Sequence, residues 1–273
     1  MTVRRMTPAD LGLVLDWAAA EGWNPGIDDA AAFFAADPDG FFLKLVDSRP
    51  AAAISVVNHD AHYAFLGLFI CHPDDRGRGY GLEIWKAGLA HAGARCVGLD
   101  GVPDQQANYQ KSGFSHSGRT LRYRGVQKPN TSADLAPART ADLIDLDAQA
   151  TGVRRSTFAS AWFSETETRR TIRLRTDSTS PAFATFRKCR DGVKVGPFHA
   201  DTATQAKALL ASVPAEFGTG PVFIDVPGTS PDFVDLLQDQ GFAPVFETAR
   251  MYSAAPPDGR PPEFYAVASL ELG

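Results

Sequence analysis

Cysteine is scarce in this chain: three in 273 residues, Cys71, Cys96 and Cys189. They are far apart and odd in number, and no CxxC or Cys/His ligand spacing exists. No zinc site is therefore indicated, and the plain expectation is reduced thiols in a cytoplasmic protein. Long apolar runs are missing too. The longest, Ala64 to Cys71, is far shorter than the roughly 20 residues that cross a bilayer. The first residues, Met1 to Pro8, contain no apolar h-region, so no signal peptide is expected. There is no basic excess: 27 Lys and Arg stand against 32 Asp and Glu, a formal charge of -5. That argues against a broad nucleic-acid footprint. The expectations are no metal, no nucleic acid and no membrane.

What is present is the composition of a folded protein, 44% hydrophobic and 22% charged, and long enough for two domains. Residues 2–6 read as a strand. Thr7-Pro8-Ala9-Asp10 is a strong helix start, with Thr as N-cap, Pro at N1 and an acid in the first turn. Gly22-Trp23-Asn24-Pro25-Gly26 breaks that helix, and a second is expected around 28–36. Strand signals cover 40–46, 51–57 and 62–71, separated by the turn clusters Asp47–Pro50 and Asn58–Asp60. A helix is expected over about 80–92, a buried strand over 95–99 and a helix over 104–112. The last strands of this half fall within 114–123. Residues 127–134 are polar and read as a linker.

The second half echoes the first. Thr7-Pro8-Ala9-Asp10-Leu11 is matched by Arg139-Thr140-Ala141-Asp142-Leu143. Leu99-Asp100-Gly101-Val102-Pro103 is echoed by Ile224-Asp225-Val226-Pro227. Gly113-Phe114, Thr120 and Arg122 are matched by Gly241-Phe242, Thr248 and Arg250 at a constant offset. Their shared order points to an internal duplication.

The segment that carries chemistry is Arg76-Gly77-Arg78-Gly79-Tyr80-Gly81. It follows an apolar strand and opens a helix. Consecutive main-chain N–H groups in such a turn, with a helix N-terminus behind them, form an anion site. Gly79 and Gly81 let a phosphate approach the backbone, while Arg76 and Arg78 supply forked donors. A Rossmann fingerprint belongs in an early β-α turn, and this loop follows three further strands. A P-loop needs Gly-Lys-Ser/Thr, and position 82 is Leu.

Arg76-x-x-Gly79-x-Gly81 after an apolar strand resembles the acyl-CoA loop of the GNAT acetyltransferases. The order of elements over roughly residues 2–124 is similar as well. The resemblance implies an α/β fold with two GNAT-like lobes, each a mostly antiparallel sheet flanked by helices. It implies residues 1–126 as the catalytic domain and 135–273 as a degenerate second one. Phe69-Ile70-Cys71 would pair by backbone with the pantetheine arm, and the loop Arg76 to Gly81 would hold the pyrophosphate of acetyl-CoA. Tyr109, five residues before Phe114 of Gly113-Phe114, matches the family tyrosine that often points at the CoA sulfur. A phenol with a pKa near 10 suits a general acid; otherwise Tyr109 is a helix-packing aromatic. Asn108 would orient the pantetheine or the helix.

No general base stands out. The strand His62 to Phe69 lacks the glutamate that many family members carry there. Asp100, His59 and His62 are the candidates, with a water chain as the alternative. The resemblance places Trp23 and Asn24 beside the acceptor pocket, together with Asp100; a buried Trp and a turn-forming Asn are the plainer reading. Asp147 to Arg155 could touch an acceptor or be an ordinary helix end.

In the second half Val195 to Thr202 stands where the loop should recur, without its arginines and glycines. Leu237 stands where Tyr109 should. The second lobe is thus expected to complete the acceptor pocket or to mediate assembly, a homodimer included. The function implied is acetyl transfer from acetyl-CoA to the primary amine of a small molecule by direct attack. A non-catalytic acyl-CoA sensor and a protein N-acetyltransferase are the alternatives.

Overall fold

The computed structural model describes residues 2–127, 133–175 and 181–273. Most of the expected linker, residues 128–132, lies outside the described residues. Thr7 closes a capping box with Asp10: its hydroxyl accepts the Asp10 N–H, and its own N–H donates to the Asp10 carboxylate. This starts α1 (Pro8–Ala20) directly after β1 (Thr2–Arg5). The second helix, α2 (Asp29–Ala36), precedes a meander of β2 (Phe41–Val46), β3 (Arg49–Asn58) and β4 (Tyr63–Cys71). Asp47 and Ser48 take positive φ of 50° and 64°, which makes a two-residue hairpin turn of the kind that matches strand twist. Arg49 and Pro50 therefore belong to the strand, not to the turn. Then come α3 (Tyr80–Ala92), β5 (Cys96–Gly101), α4 (Gln106–Lys111) and β6 (Ser115–Val126). The region 114–123, expected to hold several strands, is one twelve-residue strand.

The second half repeats this plan. It runs β7 (Leu135–Ala136), α5 (Thr140–Thr151), α6 (Ser156–Trp162), β8 (Arg169–Leu174), β9 (Phe183–Lys188) and β10 (Val193–Ala200). It continues through α7 (Ala203–Leu210), β11 (Pro221–Pro227), α8 (Pro231–Asp239), β12 (Ala243–Tyr252) and β13 (Phe264–Ala266). The fold is α/β with a mixed sheet, as expected. No described helix is long and apolar enough to cross a membrane, and all three cysteines are free.

The two halves exchange their long strands. The order β1-β2-β3-β4-β5-β12-β6-β11-β10-β9-β8-β7 puts β12 against β5, and β6 against β11, in one continuous sheet. Where β6 and β12 meet, Thr120 lies opposite Thr248. These two residues are echoes of each other, so the register marks a local two-fold axis. On either side of it, Asp225 is opposite Arg122 and Asp100 is opposite Arg250. Both pairs are bidentate, at 2.7–2.9 Å for Arg122–Asp225 and 2.7–2.8 Å for Arg250–Asp100.

Hydrophobic packing also joins the halves. Leu11, Val14 and Phe33 of the first share a core with Phe158, Trp162 and Phe183 of the second. Phe33 stacks on Trp162 at 5.9 Å, and the guanidinium of Arg187 lies 4.3 Å from the Trp162 ring. Buried Asp29 accepts from both Arg169 and Arg187, which compensates the cost of burying its charge.

Candidate active site

Strand β4 breaks its regular path at Gly67-Leu68. Leu68 adopts a φ of 46°, rare for a non-glycine residue, and the register to β3 shifts at this point. Pairing with β5 covers Tyr63–Leu66 and then stops. The β5 side of Gly67–Cys71 is left without a strand partner, and a groove opens there. Phe69, Ile70, Cys71, Arg76, Gly77, Gly79, Gly81, Asn108 and Tyr109 all line this groove, whose empty space is about 1600 Å³ with the solvent at its mouth included.

The loop closing one end of the groove is built as the sequence suggests. Gly77 and Gly79 have φ of 76° and 81°, where a side chain would be strained. Gly79 leads into α3 with no side chain capping the helix, so its first N–H groups remain available to an anion. A Cβ on Gly81 would meet Phe69 at 3.3 Å and the Cys71 sulfur at 3.4 Å, so glycine keeps this wall open. Asp75 is buried in a bidentate pair with Arg49, at 2.7 and 3.0 Å, and that pair holds its carboxyl below the usual range. This fixes the turn before the loop.

The two arginines differ. Arg76 donates to the Cys71 carbonyl at 3.2 Å and pairs with Glu21 at the groove edge. Arg78 turns back toward Asp75, at 3.7 Å, and does not line the groove. The Tyr80 side chain is buried in the core with the Lys44 ammonium over its ring, so only its main chain belongs to the loop.

A second space, about 560 Å³ on the same measure, adjoins the groove. Trp23, Phe69, Val102, Gln105 and Tyr109 border both. Its remaining walls include Leu66, Leu68, Leu99, Asp100, Arg122, Phe246, Thr248, Leu270 and Glu271, so the second half supplies part of it. Tyr109 stands at the junction. Its ring stacks on Trp85 at 5.5 Å, and burial pushes its phenol up to about 12. It is therefore a proton donor at neutral pH.

The remaining sequence candidates are distributed as follows. Trp23 walls both spaces, and its carbonyl accepts from Arg122 at 2.7 Å and Lys194 at 3.0 Å. Asn24 faces neither space; its amide bridges to the Asp191 backbone at 2.8 and 3.3 Å. Asp100 borders the second space, but both its oxygens are taken by Arg250. His62 is exposed on a turn outside the site. His59 is half-buried against Tyr63 and Phe158 and bonds the Leu272 carbonyl at 2.9 Å; desolvation and then Arg155 lower it to about 4. Of the segment 147–155, Asp147 and Arg155 form a buried pair with each other.

Arg122, Phe246 and Glu271 were missed as pocket residues. The echo of Arg122 by Arg250 signalled symmetric strands without showing that they change lobes. Nothing in Ser269-Leu270-Glu271-Leu272 marks it as part of a site in the first half.

The second half closes both features that make the first a candidate site. The β10–β11 pairing stops at Val195 and Ile224, as β4–β5 stops at Leu66 and Leu99. In the gap beyond, β13 pairs with Phe198–Ala200, and the Val267 N–H donates to the Asp225 carbonyl of β11. The chain's own segment fills the slot. Val195–Ala200 is strand rather than loop, and the turn after it is only Asp201-Thr202. The Thr202 hydroxyl caps α7 by accepting from the Gln205 N–H at 3.3 Å. Leu237, in place of Tyr109, is fully buried in the core.

Residues 12–114 match the model of the acetyltransferase (GNAT) family, and residues 143–266 that of an acetyltransferase (GNAT) domain. The chain is 36% identical to the holothin acyltransferase of Pseudoalteromonas sp. (strain SANK 73390), over 96% of this chain and 90% of that protein. Among solved structures, a Pyrococcus horikoshii protein named only provisionally as an acetyltransferase superposes with a TM-score of 0.80 at 19% identity, covering 100% of this chain and 95% of that one. A GCN5-related N-acetyltransferase from Sphaerobacter thermophilus gives 0.63 at 15% identity, covering 96% and 98%. At these identities the two structures speak for the fold alone.

Proposed function

The chain belongs to the GNAT acetyltransferase family and is an acyltransferase, and on that premise we propose that it transfers an acetyl group from acetyl-CoA to the primary amine of a small molecule by direct attack. One observation carries this reading: a groove suited to a pantetheine arm and pyrophosphate meets a separate, mostly apolar space at Tyr109. An acyl donor in the first and an amine in the second would bring the two reactants together, which removes much of the entropic barrier to a bimolecular reaction.

In the proposed reaction the main-chain N–H groups of the unpaired β4 edge polarise the thioester carbonyl. The amine nitrogen attacks the carbonyl carbon, the C–N bond forms, the C–S bond breaks, and the nitrogen gives up one proton, which in the end replaces the one Tyr109 donates. Tyr109, protonated at neutral pH, gives its proton to the departing thiolate. The acceptor space is walled by Trp23, Phe69, Leu68, Phe246 and Val102. Those walls favour an amine with a flat, largely apolar body. Phe246, Leu270 and Glu271 bound the space from the second half, which favours a small molecule over a protein N-terminus. The name of the Pseudoalteromonas relative, a holothin acyltransferase, is consistent with a small-molecule acceptor.

The test is thiol release from acetyl-CoA and longer acyl-CoAs across amino acids, amino sugars, polyamines and aromatic amines. The expected result is turnover with acetyl-CoA and flat apolar amines, well above that with polyamines. CoA binding with no turnover on any amine would instead support a non-catalytic sensor.

A further inference from the structure

The first half carries no free carboxylate in the acceptor space: Asp100 is neutralised by Arg250. The second half brings one. After β13 the chain leaves the slot it fills and crosses to β4. A Cβ on Gly67 would lie 2.0 Å from the Glu271 carbonyl oxygen, so Gly67 is the residue that lets this segment dock on the bulge of β4. Two anchors fix the segment: the Arg187 guanidinium donates to the Ala268 carbonyl at 3.1 Å, and His59 bonds the Leu272 carbonyl.

Within it, the Ser269 hydroxyl donates to Glu271 Oε2 at 2.7 Å and accepts the N–H groups of Glu271 and Leu272 at 3.0 and 3.2 Å. Glu271 is 3% exposed, lines the acceptor space and makes no salt bridge among the described residues. Arg122 on β6, Lys194 on β10 and Asp100 on β5 are the charged groups near enough to feel it. Arg122 is committed to Asp225 and the Trp23 carbonyl, and Lys194 to the Trp23 carbonyl. A buried carboxylate held by a hydroxyl, with Lys194 and Arg122 nearby but neither in contact with it, keeps an oxygen for an incoming ammonium or a nitrogen about to lose a proton.

We propose that Glu271, delivered to the first lobe by the segment that plugs the second, binds the acceptor nitrogen and takes its proton during transfer. This rests on the acetyl-transfer reading. As the nitrogen bonds the carbonyl carbon, its proton passes to Glu271 while the Tyr109 proton passes to sulfur. Water then returns the Glu271 proton to Tyr109. An amine that enters as an ammonium first gives up one further proton, which leaves to solvent. The second lobe, its own cofactor slot closed, would thus remain necessary to catalysis.

The experiment compares wild type, Glu271→Gln and Glu271→Gly with an amine that the wild type acetylates, measuring kcat/KM against pH and CoA affinity by calorimetry. The expected result for Glu271→Gln is a loss on the order of 10²- to 10⁴-fold in kcat/KM. The acidic limb set by the amine's own ionisation should remain, and CoA affinity should stay unchanged. Formate should restore part of the rate to Glu271→Gly, a rescue that a merely structural role would not give. An active wild type with kcat/KM retained across pH in Glu271→Gln overturns the assignment alone. So does loss of CoA binding in the variants without rescue by formate, which makes Glu271 structural. A wild type that binds CoA and acetylates no amine overturns the acetyl-transfer reading, and this proposal with it.

Discussion

Tyr109 is the residue whose chemistry is most sharply constrained. Its phenol, raised to about 12 by burial, stays protonated at neutral pH and so holds a proton for a departing thiolate. Tyr109→Phe keeps the ring on Trp85 and removes only the proton. The expected outcome is a kcat lower by on the order of 10²-fold with CoA affinity unchanged, read by thiol release and calorimetry. An unchanged kcat would refute the acid role. Two histidines set the pH response of the fold. His199 is buried and His59 half-buried, and both are lowered to about 4, chiefly by desolvation. Between pH 6.5 and 4 the unfolded chain therefore binds protons that the folded chain refuses. Stability is full above pH 6.5 and falls as pH drops toward 4, by up to about 3 kcal/mol for each histidine. Urea midpoints against pH should show this decline, and His199→Phe should flatten part of it. The place of Tyr109 in the groove was legible because its signal is local, a Tyr at fixed spacing before Gly-Phe. Asn24 and Asp100 were not, since their partners, Asp191 and Arg250, come from the other half of the chain.

At the level of the element, the loop from Arg76 to Gly81 has the open, glycine-rich shape its sequence suggests, with unequal arginines. Arg76 lines the groove; Arg78 faces Asp75. Arg76→Ala should weaken CoA binding by about tenfold, the scale of one charge-assisted hydrogen bond. Arg78→Ala should weaken it by less. Calorimetric titration of both variants checks the order, and equal losses would contradict it. The helix after Gly79 and the strand before it were readable from glycine placement and apolar pattern. The bulge at Leu68 was not: a leucine at positive φ carries no sequence signature, and it persists because the surrounding packing over-determines it. That bulge ends the β4–β5 pairing and opens the groove.

Across the whole molecule, the duplication was legible and the exchange of strands was not. β6 and β12 carry the same Gly-Phe, Thr and Arg signals, so either one could pair with β5 on local grounds. The observed choice aligns Arg122 with Asp225 and Arg250 with Asp100 across the local two-fold axis. Removing one partner of such a buried pair typically costs about 3–5 kcal/mol, so these contacts hold the halves as one folding unit. The same architecture leaves the halves unequal in form. The first keeps its groove open; the second fills the equivalent slot with β13 and caps α7 with Thr202. The proposed reaction needs a single acyl-CoA site per chain, held by the groove beside β4. Its most direct test is a calorimetric titration of the wild type with CoA, repeated on Arg76→Ala. One CoA should bind per chain, with an affinity that falls when Arg76 is removed. Two equivalents per chain, or no binding at all, would contradict it.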